Sequence, residues 1–425
     1  MLWKIKKSCV SGTLRIPPSK SHTIRALLIA SIAQGESTIY NGLIQGDGKS
    51  ALEAAEGLGV KYTIRNGTIY IKGIASDFSK GTSEINVGNS GSSVRFFTSV
   101  AALGSKPRTF DGDSSLRSRP MKPLLQSLAE LGGQYSIHQS DRDIPFTISG
   151  PLKGGETVIN GLSSQYLSSL LLTAPLLPKD TCINVENLHE KPYVEITLWW
   201  LDRMNISYQV SNNFSTFNIQ GNQKYHPFSL SVPGDFSSAT FGAVAAVLSR
   251  SQLKLENIDF SDPQGDKEIF VFLEKMGAVI DRNSASATIR SGGIPQGIEI
   301  DLNANPDALP ALTVLGCFAE GTTSIVNVKQ ARIKETDRIK VMKTELAKMG
   351  ARIEEKEDGL RIYNSKLTGC KVNGHHDHRV VMALALAGMI ADGETVIETA
   401  ESADITYPGF ALDFNNIGAD IECIS

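Results

Sequence analysis

Cysteine is scarce and unpatterned in this chain. Cys9, Cys182, Cys317, Cys370 and Cys423 are scattered over 425 residues, odd in number and without a Cys-x-x-Cys pair. That spacing argues against a disulfide framework or a structural zinc, and for a reducing cytoplasm. Long apolar runs are missing too: none reaches the ~18 uninterrupted residues that a membrane span needs. Lys4, Lys6 and Lys7 are not followed by an apolar segment, so no signal peptide is expected. A formal net charge of −3 gives no reason to expect nucleic acid or a membrane surface as partner. Low-complexity tracts and long linkers are absent, which leaves room for two closely coupled domains.

One pattern recurs six times on this plain background: a short polar stretch, then an apolar run long enough for a buried helix. The first copy is Pro17-Pro18-Ser19-Lys20-Ser21-His22-Thr23-Ile24-Arg25, running on to Ala33. The prolines keep the chain extended, and Ser19 or Ser21 can cap the first turn. The same design returns at Asn89 to Arg95, Ser163 to Tyr166, Gly234 to Ser238, Pro306 to Ala308 and Asp377 to Arg379. The apolar runs that follow end near Leu103, Leu177, Leu248, Ala319 and Ile390, and strand-like segments such as Ser37–Tyr40 come next. Each copy continues with an amphipathic helix, a glycine or Asn205 suited to a left-handed helix stop, and a hairpin, the last copy being abbreviated to Phe410–Gly418 and Ala419-Asp420-Ile421. The unit is β-α-β-α-β-β, and six units predict an α/β protein of two domains with three repeats each. The boundaries expected are residues 15–230 for one domain and 1–14 plus 231–425 for the other, because Lys4–Val10 reads as a strand that can join the C-terminal half. The active site is expected in the cleft between the domains.

Polar chemistry collects at one phase of the repeat, the N-terminus of the first helix. Cations there, such as Lys20 and Arg25, oppose the helix dipole unless an anion binds among them. Arg95 and Arg379 share the phase, and Gly91 lets a ligand approach the backbone closely. Repeated N-caps account for the serines but not for the arginines. Lys334 and Arg338 are four residues apart and would repel on one helix face, and Glu335 beside them can donate or accept a proton. His375-His376-Asp377-His378 has metal-ligand residue types, but the repeat phase explains it without a metal.

Taken in order, these motifs resemble the enolpyruvyl transferase family over about Ser11 to Phe410. The carriers are Pro18-Ser19-Lys20-Ser21 with Arg25, Gly88 to Ser92 with Arg95, Gly112 to Leu116 with Arg119-Pro120, Ser163-Ser164-Gln165, Lys191-Pro192-Tyr193, Asp235 to Ala239, Asp307, Arg332 to Arg338, and Asp377-His378-Arg379. The resemblance implies two inside-out α/β domains of three repeats each, and addition of the 5-hydroxyl of shikimate 3-phosphate to C2 of phosphoenolpyruvate, with loss of phosphate. It implies no metal, no cofactor, and small anionic substrates as the partners of a monomeric, glyphosate-targeted enzyme. By position it assigns Lys20, Ser21, Arg25, Ser163, Ser164, Gln165, Asp307, Gln330 and Lys334 to shikimate 3-phosphate. Lys20, Gly91, Arg119, Gln165, Arg338 and Arg379 are assigned to phosphoenolpyruvate. Asp307 is the expected base, with Glu335, Lys20 and His378 as the proton-handling group at C3. Glu190 departs from the pattern, since many relatives have Ser or a cation near the substrate phosphate. Gln330 stands where Asn is common, and Ile405 where some relatives have Lys. A different hydroxyl acceptor, or a non-catalytic anion-binding relative, is the competing reading.

Overall fold

The computed structural model describes residues 1–75 and 77–424. The chain divides into two compact units, Ser19–Val232 and Met1–Pro18 with Pro233–Ser425. Local pairing fixes where the cuts fall. Pro18 bridges to Gly234 and Asp235 N–H donates to Pro17 O at 2.9 Å, so residues 15–18 stay with the second unit. Ser229–Ser231 pairs with Glu36–Tyr40, which keeps those residues in the first.

Among the described residues each unit contains three four-stranded sheets, all with the same order. In the second repeat, Glu84–Asn86 runs parallel to Arg108–Asp111, which pairs antiparallel with Phe146–Ser149, itself antiparallel to Gln134–Ile137. Two parallel neighbours need a crossover, and the helix Gly91–Ala101 supplies it. The β-α-β-α-β-β unit read from the sequence is therefore the structural unit.

Three repeats borrow a strand from elsewhere in the chain. Ser229–Ser231 opens the first and Gly12–Arg15 opens the fourth. Leu2–Lys6 completes the last, inserted between Thr395–Glu398 and Asp420–Ile424. The expected strand Lys4–Val10 thus begins and ends earlier, because the register with Glu398 and Asp420 is complete by Lys6.

The first helix of each repeat is buried almost all round. In one unit these helices are Lys20–Ile32, Gly91–Ala101 and Ser164–Thr173. In the other they are Phe236–Leu248, Leu309–Cys317 and His378–Ile390, which pack on one another pairwise. The run expected to reach Leu177 leaves the α-helix after Thr173 and tightens into a 3-10 turn over Ala174–Leu176, with Pro175 in it. The second helices stop on left-handed residues, including Gly350 at φ 97° and Asn205 at φ 56°.

Trp3 shows how much the borrowed last strand contributes. It is 3% exposed and stacks on Phe410 with ring centroids 5.7 Å apart. Trp3→Ala is expected to lower the unfolding free energy by about 3–5 kcal/mol. Chemical denaturation checks this, and a loss below about 1 kcal/mol would mean the strand is dispensable.

Candidate active site

In the unit Ser19–Val232 Lys20, Ser21, Gly91, Ser164 and Gln165 sit on the first turns of the three buried helices, with Arg25 one turn further along the first and Arg119 in the loop after the short helix Ser114–Arg117. Ser19, not Ser21, is the N-cap of Lys20–Ile32, its Oγ accepting from His22 N–H at 3.4 Å. Lys20 lies on the first turn with its Nζ 3.2 Å from Asp47 Oδ2. A protein carboxylate therefore offsets part of the unfavourable cation–dipole pairing read from the sequence. Arg25 is buried and donates to Thr197 Oγ1 (2.9 Å), Ser21 O (2.9 Å), Tyr193 O (2.8 Å) and Ser168 Oγ (3.4 Å). Burial lowers its pKa to about 9, so it stays charged at neutral pH. These bonds hold Arg25 between the helices Lys20–Ile32 and Lys191–Arg203, where the sequence placed it as a substrate ligand.

The second and third helices converge on Gly91. A Cβ built there would meet Arg119 Nη1 at 2.7 Å, Arg95 Nη1 at 3.0 Å and Gln165 Oε1 at 3.7 Å. Gly91, Arg119 and Gln165, all assigned to one ligand, therefore share one small volume. Arg95 joins them by donating to Gln165 Oε1 and Pro120 O, and its guanidinium lies 5.1 Å from the Tyr166 ring centroid. Burial, and then the neighbouring Arg119, act to depress the Arg95 pKa, and the net shift is downward. Two guanidiniums this close favour an anion between or beside them.

Ser163 is the N-cap residue of Ser164–Thr173 and makes no side-chain capping bond. That place is taken by Glu190. Its carboxylate Oε2 accepts from Ser164 Oγ at 2.8 Å and from Ser164 N–H at 3.4 Å. Glu190 is 2% exposed and has φ 55°, a left-handed backbone that turns the side chain toward the helix end. The carboxylate that departs from the motif is thus directed at a residue assigned to shikimate 3-phosphate.

In the second unit Arg338 is the hub. It is buried and donates to Asp377 Oδ2 (2.8 Å), Asp307 Oδ1 (2.7 Å) and Glu335 Oε2 (2.7 Å). Burial opposes its charge, and Asp377, Glu335 and Asp307 outweigh that, holding its pKa well above the ordinary arginine value. The expected repulsion between Lys334 and Arg338 on one helix face is not found. The helix begins at Arg338, Asp337 is its N-cap, and Lys334 lies just past the 3-10 turn Lys329–Ile333. Three protein carboxylates offset the Arg338 charge.

Arg379 Nη2 is 3.5 Å from Asp307 Oδ2 and 3.6 Å from Asp235 Oδ2. His378 is buried on the first turn of His378–Ile390, and Asp377 caps that helix by accepting from Arg379 N–H at 2.8 Å. Gln330 is buried and donates to Asn303 O at 2.8 Å. The unit therefore gathers Asp307, Glu335, Arg338 and Arg379 into one charged network. Ile405 ends the 3-10 turn Ala400–Ile405.

The sequence reading missed Asp47, Thr197, Ser168 and Asp266. Nothing in local spacing marks them, because each meets its partner only through tertiary packing. Asp266 is the most consequential. It is buried and accepts from Ser237 Oγ at 2.9 Å.

A two-unit α/β protein of six such repeats, with guanidiniums, lysine and carboxyl acids gathered at buried helix ends, defines an enolpyruvyl-transferase class of enzyme. The chain belongs to the EPSP synthase (3-phosphoshikimate 1-carboxyvinyltransferase) family, whose model matches residues 5–414. It is 49% identical over 421 residues to the 3-phosphoshikimate 1-carboxyvinyltransferase of Acetivibrio thermocellus, covering 99% of each chain. It is 46% identical over 424 residues to that of Ruminiclostridium cellulolyticum, covering 100% of each. A solved EPSP synthase from Acinetobacter baumannii superposes with TM-score 0.82 at 25% identity, over 99% of this chain and 100% of that one.

Burial first, then the charges of Asp307 and Asp235, raise the Asp266 pKa to about 7, while Ser237 and Arg379 act in the opposite sense. An acid whose folded pKa exceeds its unfolded value stabilises the fold fully below the unfolded value, ~3.9, and loses that contribution as pH rises through the folded one. Stability should therefore fall through this group between about pH 4 and pH 7 and be level above. Asp266→Asn should gain on the wild type as pH is raised from about 5 to about 8. Urea midpoints at both pH values check this, and an unchanged difference would take Asp266 out of the titration.

Proposed function

We propose that the chain transfers the enolpyruvyl group of phosphoenolpyruvate to the 5-hydroxyl of shikimate 3-phosphate and releases phosphate. The observation that carries this reading is the grouping of Gly91, Arg95, Arg119 and Gln165 around one small volume. Two guanidiniums beside a glycine suit the phosphate or carboxylate of a compact dianion, which arginine can grip in bidentate fashion. Lys20, Gly91, Arg119, Gln165, Arg338 and Arg379 hold phosphoenolpyruvate. Lys20, Ser21, Arg25, Ser163, Ser164, Gln165, Asp307, Gln330 and Lys334 hold shikimate 3-phosphate, with Arg25 acting mainly by fixing the helix that carries Lys20 and Ser21.

Asp307 takes the proton of the 5-hydroxyl as its oxygen bonds to C2. Glu335 delivers a proton to C3, with Lys20 and His378 assisting. The tetrahedral adduct then loses phosphate from C2 and a proton from C3, which restores the double bond. Arg338 bonds both Asp307 and Glu335, so one rigid cation orients the base and the acid. Positive charge that builds at C2 on protonation of C3 is stabilised by the nearby carboxylates.

This reading includes a monomer in the cytoplasm that uses neither metal nor organic cofactor. Among the described residues no helix is long and apolar enough to cross a membrane. Sedimentation at working concentration tests the oligomeric state.

The deciding assay is phosphate release with both substrates and with each omitted in turn. Release that needs both is expected. Release only with another hydroxyl acceptor would move the proposal to that acceptor, with Glu190 as the first residue to examine. Glu335→Gln keeps an acceptor for Arg338 but has no proton to give. It should cut turnover by roughly 100-fold or more while shikimate 3-phosphate still binds by calorimetry. Undiminished turnover would remove Glu335 from the proton path. Gly91→Ala puts a methyl 2.7 Å from Arg119 Nη1. It should weaken phosphoenolpyruvate by about 1–3 kcal/mol and glyphosate, a longer molecule, by more. Inhibition curves for the two proteins check the order.

A further inference from the structure

The turn that carries Asp377, His378 and Arg379 is also gripped at a point remote from the reacting groups. The helix Arg338–Lys348 touches it from both ends. Arg338, its first residue, bonds Asp377. Glu345, two turns on, places a buried carboxylate beside the segment that leads into the turn. Its Oε2 accepts from Asn373 N–H at 2.9 Å and from Lys348 Nζ at 2.7 Å, and its Oε1 is 2.9 Å from His375 Nε2. Burial opposes ionisation of Glu345, and the hydrogen bonds from His375, Lys348 and Asn373 outweigh it, so its carboxyl sits below the usual glutamate range.

The backbone between the two grips is strained. His375 has φ 52° and His376 has φ 57°, two consecutive left-handed residues that are not glycine. Such a conformation is costly for a residue other than glycine and persists only where its surroundings over-determine it. The turn has no slack on its inner side, since a Cβ at Gly374 would lie 2.2 Å from Val381 Cγ2. Asp377 N–H donates to Gly374 O at 2.9 Å and closes the turn. The shape of residues 373–376 therefore sets where the Asp377 carboxylate, and with it Arg338 and the first turn of His378–Ile390, come to rest.

We propose that Glu345 is a positioning residue for the phosphoenolpyruvate half of the site, acting through His375 and Asn373 N–H to hold the strained turn that aims Asp377, His378 and Arg379. The proposal rests on the reading of function given above. Glu345 itself bonds none of the groups assigned to substrate. Its removal lets residues 375 and 376 relax toward ordinary backbone angles and shifts Arg379 and Asp377 together.

The test uses the full chain, starting with phosphate release by the wild type. No release dependent on both substrates would sink the underlying reading, and the proposal with it, before any variant is read. With an active wild type, Glu345→Gln is expected to raise the KM for phosphoenolpyruvate by about tenfold and to lower kcat, with the KM for shikimate 3-phosphate within about twofold. Glu345→Asp should restore part of the loss. His375→Asn, at a half-exposed position and with a residue that tolerates the left-handed region, decides the matter if Glu345→Gln does not fold. It should move the same KM in the same direction by less. Variants with intact circular dichroism whose KM values and kcat stay within about twofold of the wild type would overturn the proposal. An equal loss on both substrates without rescue by Asp would do so too, because it would mark a merely structural role.

Discussion

A helix buried along its whole length can offer only its ends to a ligand, and that constraint shapes everything else in this protein. The first helix of each repeat is wrapped on nearly every side, from Ile24 to Ile32 in one unit and from Val380 to Met389 in the other. Hydroxyls along such helices are bonded inside the protein, as Ser31 Oγ is to Leu27 O and Ser169 Oγ to Arg95 O, which leaves the helix ends for the side chains that are to meet a ligand. Those side chains collect on first turns, where free N–H groups favour acceptors and anions. Lys20, Gly91, Ser164 and Arg379 all occupy such turns.

The same burial makes each charge expensive to leave alone: Arg25 and Arg95 are held by neutral oxygens, and other cations by protein partners of opposite sign. Lys20 faces Asp47, and Arg338 faces Asp377, Asp307 and Glu335. Breaking one member of such a set strands the others in a poorly solvated place. The acids assigned to chemistry are thus held by the cation assigned to phosphoenolpyruvate. Glu190 is the exception in kind: a carboxylate bonded to Ser164, at a helix end that the family resemblance assigns to shikimate 3-phosphate.

Backbone strain also enters at the turn that leads into His378–Ile390. His375 and His376 are left-handed in succession, and the helix Arg338–Lys348 braces them at one end while presenting Arg338 at the other. One rigid element therefore couples a surface histidine pair to the charged network.

The sequence by itself determined the repeat, the α/β class and the phase of the repeat at which the polar residues collect. These depend on local signals: apolar runs of helical length, alternating strands, and stops such as Asn205 and Gly350, whose positive φ follows from steric freedom at single residues. It also marked Gly91, Arg119 and Gln165 as one set through motif resemblance. Only the tertiary structure decided which partner each charge keeps. Asp47 for Lys20, Thr197 and Tyr193 for Arg25, and Asp307 and Asp377 for Arg338 lie far away in sequence, and no periodicity links them. It decided that the helix starts at Arg338, so Lys334 does not share its face, and that Leu2–Lys6 completes the last sheet. The physical reason is common to all of these: burial and pairing are properties of neighbours in space, and a chain records only its neighbours in line.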